Sequence, residues 1–296
     1  MFEYANYVVN QILRPGPLAA GRLTETGMAT ARKPQTKGAA GETDKASDPL
    51  MVASVEKAFR VLSVFDRHHQ ALGLSQIAAA AGLDVSSAQR FTHTLMKLGY
   101  LHKNPDTKRF ELTVKSLDLG HHFLRASRLV DKAMPYLLHL SKETEETVNL
   151  TMLDGAEIVF VTRFVSRHML NTDVTIGTRM PAFCTAPGVA ILSRLPEAEA
   201  LAVLDKSELK AYAPGTTWKK PDLVRKLKQS ALQGYATAFE EFYHSDASIA
   251  APILDPKGYP EGAVNIATSR SRYAPDEVVT KFSSLVMATA HAISRT

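Results

Sequence analysis

Side chains that can hydrogen bond to the edges of DNA bases are concentrated in residues 84–98. A helix of the protein core would carry leucine at many of these positions. This segment carries polar residues instead: Ser86, Ser87, Gln89, Arg90, Thr92, His93 and Lys97. Glutamine and arginine present paired hydrogen-bonding groups that match adenine and guanine. Small serine and threonine side chains let a backbone approach the groove closely. The segment therefore predicts a helix that reads DNA, and the alternative is an ordinary solvated helix face.

Two histidine pairs and the single cysteine are the residues that invite metal or nucleophilic chemistry. Neighbours on a helix point about 100° apart, so His68 with His69, and His121 with His122, do not bind one ion together. Cys184 has no accompanying His-Asp pattern, and one cysteine forms neither an intrachain disulfide nor a thiolate zinc cluster. The sequence also lacks a glycine-rich phosphate loop. We therefore expect no enzyme activity, no metal and no cofactor.

The elements that would position the polar segment are three helices and a hairpin. A helix is predicted at 52–67, with one apolar stripe pointing inward: Val55, Phe59, Val61, Leu62, Val64 and Phe65. A short helix at 74–81, with Ser75 as its cap, ends at Gly82. Asp84 or Ser86 caps the third helix. Its buried face is predicted to contain Val85, Ala88, Phe91, Leu95 and Leu98.

The segments YLHKN and RFELT flank the turn 105–108 and predict a small β hairpin. Helix, turn, second helix and hairpin together predict a winged helix-turn-helix at 52–113, with the second helix of the pair in the major groove. Candidate DNA contacts beyond the third helix are Ser75, Gln76, Lys103, Lys108 and Arg109.

The positive charge of the chain is concentrated in this region. Residues 52–112 hold eight Lys and Arg against five Asp and Glu, which gives +3 of the formal +5. Three of these cations, Lys103, Lys108 and Arg109, lie on the hairpin and would follow the phosphate backbone as a wing. The charge pattern supports a nucleic-acid partner.

The 296-residue chain is long enough for two domains. Residues 1–50 are rich in Gly and Pro without an apolar period, which predicts a disordered tail. The first apolar segment, FEYANYVVNQIL, is too short and too often interrupted for a signal peptide, and no apolar run is long enough to span a bilayer. We therefore expect a cytoplasmic protein with no membrane partner.

Beyond the hairpin, the pattern predicts a linker helix at 114–128 and a second domain at 129–296. Helices are predicted at 129–146, 186–194, 197–205, 221–233 and 275–294. Strands are predicted at 147–153, 157–165, 173–179, 235–240, 247–254 and 261–268. Helices interleaved with antiparallel hairpins favour an α+β domain over a long parallel sheet.

Several segments in the same order make residues 52–296 resemble the IclR family of bacterial transcriptional regulators. In the N-terminal part these are SVEKAFRVLSVF, LSQIAAAAGLDVSSAQRFTHTLMKLGYL and KNPDTKRFELT. In the C-terminal part they are IGTRMPAFCTAPGVAIL, GYATAFEE and SIAAPILDPKGYPEGAVNIA. The resemblance implies a winged helix-turn-helix, a linker helix and a GAF-like effector-binding domain. The segments AFCTAPG and AQRFTHTL are most similar to the branch of the family that senses aromatic acids.

The resemblance also implies a pocket for a small organic acid, with residues carried over from the family pattern: Cys184, Thr185, Ala186, Pro187, Ser248 and Asn265. Backbone amides of Ala186 and Gly188, at a helix start, would hold a carboxylate. The chain departs from the family at Val189, where relatives often have Lys or Arg. Arg163, Arg179 or His168 would replace that cation; alternatively, the two arginines pair structurally with Glu240 or Glu241.

Family members act as dimers or as dimers of dimers on operator DNA, and they repress or activate catabolic genes. The resemblance therefore implies a homo-oligomer that binds a palindromic operator and a small-molecule effector. The alternative function is a ligand-binding module that acts through protein partners without DNA.

Overall fold

The N-terminal part contains three helices and a hairpin, as predicted. The computed structural model describes residues 48, 50–168 and 173–295, so nearly all of the predicted tail, 1–50, lies outside the described residues. The helices are α1 (Ala53–Leu62), α2 (Leu74–Ala80) and α3 (Val85–Lys97), and the hairpin strands are β1 (Leu101–Lys103) and β2 (Phe110–Leu112). They share a small core: Val61, Leu72, Ile77, Ala81, Leu95, Leu101 and Phe110.

The helix starts are fixed by local hydrogen bonds. Asp84 caps α3, because its Oδ1 accepts from the backbone N–H of Ser87 at 2.8 Å. The predicted cap at Ser75 is wrong: α2 starts after Gly73, whose N–H donates to Gln76 Oε1 at 3.0 Å. Gly82 supplies the turn between α2 and α3, with a φ of +61° that L residues rarely adopt.

The apolar stripe predicted on α1 does not point inward as a whole. Val61 is fully buried, but Val55 and Phe59 are 52% and 54% exposed. Val85 and Leu98, assigned to the buried face of α3, are also exposed. The core of this domain is too small to cover every apolar residue of its helices, and α1 keeps an open apolar face.

A helical connection leads to the second domain. A 3₁₀ turn (Val114–Ser116) precedes α4 (Leu117–Ala126), and α5 (Arg128–Thr144) follows directly. Ser127 separates the two helices with extended backbone (φ −80°, ψ 108°). Its hydroxyl accepts from the N–H of Val130 at 3.4 Å.

The second domain is built on one six-stranded antiparallel sheet in the order β5-β4-β3-β8-β7-β6. Its strands are β3 (Thr147–Asp154), β4 (Glu157–Phe164), β5 (Arg179–Pro181), β6 (Ala236–Phe239), β7 (Asp246–Leu254) and β8 (Pro260–Ser269). The strand predicted at 173–179 is wrong, since β5 begins at Arg179 and a turn precedes it.

Helices cover both faces of the sheet. The remaining helices are α6 (Ala186–Leu192), α7 (Glu197–Lys206), α8 (Lys220–Gln233) and α9 (Pro275–Ser294). Helices α5 and α9 pack on one face, and α6, α7 and α8 contribute to the core on the other. The mixed α+β architecture is confirmed. Among the described residues, no helix is both long and apolar enough to cross a bilayer.

Candidate functional site

The predicted DNA-reading side chains converge on an open groove between α3 and the hairpin. Ser86, Gln89, Arg90 and His93 of α3 line this groove together with Lys103 of β1. All five are exposed. Lys97 is exposed one turn further along α3. Donors, acceptors and cations therefore stand on one solvent-facing surface, the arrangement needed to contact base edges and phosphates.

Two of the predicted contacts on α3 have other roles. Thr92 lies at the floor of the groove, but it is 1% exposed and its hydroxyl donates to the carbonyl of Gln89 at 3.1 Å, which disfavours the predicted DNA contact. Its position one turn after Ala88 places it on the core side of the helix. Ser87 is half-buried, and its hydroxyl donates to Asp84 Oδ2 at 2.6 Å. Ser87 thus stabilises the start of α3.

The hairpin is attached to the start of α2. Leu72 and Phe110 exchange two backbone hydrogen bonds of 3.0 and 2.8 Å. Arg109 Nη1 donates to the carbonyl of Ala71 at 2.9 Å and to Gln76 Oε1 at 3.3 Å. Arg109 and Gln76 therefore hold the hairpin in place, whereas Ser75 stays exposed on α2.

The remaining hairpin cations point their charges toward solvent. Lys103 Nζ lies 5.1 Å from the centre of the Phe110 ring. Lys108 sits in the turn with a φ of +58°, and its ammonium donates to the carbonyl of Pro105 at 2.5 Å. Both side chains are exposed, as phosphate contacts require.

A cavity opens between the second sheet and α6. Its volume is about 80 Å³ and it is partly open to solvent, so it is smaller than the usual site for a drug-sized ligand and suits a small molecule. Four of the predicted effector contacts line it: Cys184, Thr185, Pro187 and Asn265. Ala186 and Ser248 are buried outside the cavity lining. The side chain of Ser248 therefore does not face the cavity, and the predicted role of the Ala186 backbone N–H stays a prediction.

Close packing of α6 forms one wall of this cavity. A Cβ on Gly188 would come within 2.1 Å of the carbonyl oxygen of Ala182, so only glycine fits. Val189, at the position where a cation was expected from the family, is fully buried in the apolar core. Any cation of the cavity must come from another element.

A directional chain of side-chain hydrogen bonds crosses four strands at the cavity. Arg163 Nη1 donates to Asn149 Oδ1 at 3.0 Å, and Asn149 Nδ2 donates to Asn265 Oδ1 at 3.2 Å. Asn265 Nδ2 then donates to Ser248 Oγ at 3.0 Å. The hydroxyl of Ser248 donates to the carbonyl of Ile266 at 3.3 Å. Ser248 thus positions the amide of Asn265 by accepting its hydrogen bond from outside the cavity lining.

The missing cation is supplied by β4. Arg163 and His168 both line the cavity. Burial lowers the pKa of the Arg163 guanidinium, which Asp246 and Tyr243 partly offset. Arg179 instead pairs with Asp154 and Glu157 at 2.6 and 2.8 Å, outside the lining.

The predicted ion pairs of Arg163 or Arg179 with Glu240 or Glu241 are wrong. Glu240 pairs with Arg270 at 3.8 Å, and Glu241 pairs with Lys226 in a largely buried contact. Among the described residues, Arg163 is the arginine in the cavity lining.

A carboxyl group that sequence reasoning missed also faces the cavity. Asp246, the first residue of β7, lines it. Burial raises the pKa of this carboxyl to about 7, although the backbone N–H of Ala247 and the charge of Arg163 both act to lower it. Asn149 was missed as well. An asparagine between the apolar Val148 and Leu150 could have revealed Asn149, whereas nothing in the sequence around Asp246 predicts its position.

Cys184 is unsuited to nucleophilic chemistry. The thiol is fully buried, and burial raises its pKa to about 12, so it stays protonated at neutral pH. No cluster of metal-ligating side chains occurs within residues 50–168 and 173–295. The cavity is therefore equipped to bind a small molecule through apolar walls, amides and two charged groups.

Two protein-family models match this chain. The model of the IclR helix-turn-helix domain matches residues 54–105, and that of the bacterial transcriptional regulator IclR C-terminal domain matches residues 121–295. A Pca regulon regulatory protein of Pseudomonas putida is 28% identical over 81% of this chain and 82% of its own. A p-hydroxybenzoate hydroxylase transcriptional activator of Acinetobacter baylyi is 27% identical, covering 82% and 90%.

The fold is shared with solved structures. A transcriptional regulator from Rhodococcus sp. RHA1 superimposes with a TM-score of 0.73 at 33% identity, covering 83% of this chain and 98% of that one. The two family matches cover the reading helix and the cavity-bearing domain in the expected order. The chain belongs to the IclR family of bacterial transcriptional regulators, which bind DNA through a helix-turn-helix and are not enzymes.

Proposed function

We propose that this regulator controls a catabolic operon in response to a small organic acid bound in the cavity beside α6. The observation that carries the proposal is the presence of Arg163 among apolar walls at that cavity, in a chain whose α3 exposes a polar face. A desolvated guanidinium is a strong partner for a carboxylate. Apolar walls suit an apolar ligand body: Ile158, Phe160, Val174, Met180 and Phe242.

Aromatic acids are the first candidates, and short aliphatic acids the second. One relative is, by its name, the transcriptional activator of p-hydroxybenzoate hydroxylase. Phe160 and Phe242 supply aromatic surface in the cavity of this chain. A thermal-shift screen of both classes of acid tests the proposal, because a ligand at 100 times its Kd adds about 2.7 kcal/mol of stability. An absence of stabilisation by every acid in the screen would contradict it.

DNA is read by α3 with the hairpin as a wing. We propose that Gln89, Arg90 and His93 reach base edges, and that Lys97, Lys103 and Lys108 contact phosphates. The exposed groove side of α3 supports this reading over a module that acts only through protein partners. A gel shift with the upstream DNA of the gene should show retention that weakens steeply as salt rises, since each phosphate contact releases counterions.

A second copy of the chain completes the regulator. Exposed apolar side chains lie one helical turn apart on α1 (Val55 and Phe59) and on α4 (Leu119 and Phe123), each 50–54% exposed. Such faces are usually covered by a partner, and a twofold dimer matches a palindromic operator. We propose that these faces form the dimer contact, with dimers or dimers of dimers in the cytoplasm. Light scattering should give a dimer or tetramer mass, and Phe59→Glu should lower it.

We propose the domain bounds 52–113 for the reading domain, 114–128 for the linker and 129–296 for the effector-binding domain. Effector binding would shift the population of arrangements of the two reading domains in a dimer. The shift is limited by the differential affinity of the effector for those arrangements, typically about 1–3 kcal/mol.

A further inference from the structure

The strand alternation of β7 directs Asp246 into the effector cavity. Ala247, Ile249 and Ala251 pack into the core beneath α5 and α9. The intervening residues face the opposite side of the sheet, where Ala250 joins the core of α6 and Asp246 lines the cavity. The carboxyl of Asp246 therefore lines the same cavity as the guanidinium of Arg163.

No described side chain donates a hydrogen bond to the carboxyl of Asp246, which receives one from the backbone N–H of Ala247. Arg163, Asn149 and Asn265 are joined to one another in the hydrogen-bonded chain. A carboxyl surrounded largely by apolar walls is costly unless a donor reaches it. The raised pKa of Asp246 has the same origin.

We propose that Asp246 selects the effector: it accepts a hydrogen bond from a hydroxyl or amino group of the ligand, while Arg163 binds the ligand's carboxylate. The cavity then takes hydroxy- or amino-substituted monocarboxylic acids and rejects dicarboxylic acids. This inference rests on the proposed function of the cavity as an acid sensor, and it adds a second polar determinant to it.

The exclusion of dicarboxylic acids follows from like charges. A second carboxylate at the Asp246 end would place two anions side by side in the cavity, which disfavours ionisation of both. A plain monocarboxylic acid avoids this repulsion but brings no donor to Asp246. Only a ligand with one carboxylate and one hydrogen-bond donor matches both Arg163 and Asp246. Specificity therefore comes from repulsion of the dicarboxylic acid as well as from attraction of the hydroxy acid.

The test is calorimetric titration of the full chain at pH 8 with two matched sets of acids. One set is benzoate, 4-hydroxybenzoate and terephthalate; the other is butyrate, 3-hydroxybutyrate and succinate. In the set that fits the cavity, the hydroxy acid should bind about 10- to 100-fold more tightly than its parent, as expected for a hydrogen bond to a charged group. The dicarboxylic acid should bind more weakly than the parent.

Variants at Asp246 assign the effect to that residue. Asp246→Ala should abolish the preference for the hydroxy acid and relieve the penalty on the dicarboxylic acid. Asp246→Asn keeps an acceptor without the charge, so it should retain part of the hydroxy preference and lose the dicarboxylate penalty. Arg179→Ala is the matched control, since Arg179 pairs with Asp154 and Glu157 outside the cavity lining. It should change neither ratio, and thermal unfolding verifies that each variant is folded.

The outcomes separate this inference from the proposed function. Binding of acids without a hydroxy preference, or a preference that persists in Asp246→Ala, overturns the role of Asp246 and leaves the acid sensor standing. Failure of every acid to bind the wild-type chain overturns the acid sensor itself. Tighter binding of a dicarboxylic acid than of its parent overturns the charge argument alone, and the Asn variant tests that argument independently.

Discussion

Asn149 and Asn265 join neighbouring strands through one hydrogen bond of 3.2 Å, and this bond fixes the direction of the whole polar chain. The guanidinium of Arg163 can only donate, so the oxygen of Asn149 must face it. The nitrogen of Asn149 is then left to donate to Asn265, whose own nitrogen donates to Ser248. Each amide has one consistent orientation, set by the charge at the end of the chain.

Breaking this chain should reduce stability. In Asn265→Leu, the buried Nδ2 of Asn149 loses its acceptor, and the free energy of unfolding should fall by about 1–3 kcal/mol. Urea unfolding followed by circular dichroism measures the loss. The control is Ser63→Ala, which removes an exposed hydroxyl that donates to the carbonyl of Phe59; its effect should stay within about 0.5 kcal/mol. Equal effects of the two variants would contradict the structural role of Asn265.

Asp246 should make the stability of the ligand-free protein depend on pH. Its pKa is about 7 in the folded chain, above the ordinary value of 3.8. Between these values the folded state holds a proton that the unfolded state has released, so this contribution to stability is lost as pH rises through 7. Asp246→Asn should therefore be more stable than the wild type at pH 8, by roughly 1–3 kcal/mol, and nearly equal to it at pH 4. A difference that is the same at both values of pH would disprove the assignment.

Two arginines of the reading domain should respond differently to removal. Arg90 lines the open groove of α3, so Arg90→Ala should weaken operator binding by about 1–3 kcal/mol with little change in stability. Arg109 holds the hairpin through Ala71 and Gln76. Arg109→Ala should therefore lower the unfolding midpoint as well. Gel shifts and thermal unfolding of both variants give the comparison, and a stability loss in Arg90→Ala equal to that in Arg109→Ala would refute it.

Two glycines should respond to alanine with opposite signs. A Cβ at Gly188 would lie 2.1 Å from the backbone oxygen of Ala182, so Gly188→Ala should displace α6, destabilise the domain and weaken effector binding. Gly120 lies within α4, and a Cβ added there would meet nothing within 4 Å. Gly120→Ala should stabilise the chain by about 0.5–1 kcal/mol, the difference in helix propensity. Calorimetric melting of both variants tests the pair, and tolerance of alanine at 188 would exclude the close packing of α6.

Cys184 should resist alkylation in the native protein. Its thiol is buried and has a pKa of about 12, so iodoacetamide at pH 8 should modify it only slowly. In urea the thiol becomes exposed and its pKa returns toward about 8.5, so labelling should be complete. Mass spectrometry after timed quenching gives both rates. Fast labelling of the folded chain would require an accessible thiolate at this position.

The elements of the fold follow largely from hydrophobic periodicity. The final helix, 275–294, has the predicted bounds, and the main strands begin and end within one or two residues of theirs. Periodicity does not show which apolar residues stay exposed in a small domain. For that reason Val55 and Phe59 were assigned to the core, although both are exposed. Periodicity also placed Thr92 on the exposed face of α3. The sequence does not show that its hydroxyl is satisfied by the carbonyl of Gln89 within the helix.

The site was predictable only in part, since the cavity is assembled from distant strands. Cys184, Thr185 and Pro187 lie in one segment and could be carried over from the family pattern. Asp246 and Asn149 meet them only after the sheet has formed, and their neighbours in sequence do not reveal this. The position of Ser248 behind Asn265 depends on the register of β7 and β8.

The pairing of Leu72 with Phe110 has a mechanical consequence for gene control. Two backbone hydrogen bonds join the hairpin to the residue that precedes α2. They oppose movement of the hairpin relative to α2 and α3. If α3 and the hairpin contact DNA as proposed, they do so as one unit with a fixed spacing. An effector that moves this domain would then change the contacts of α3 and of the hairpin together.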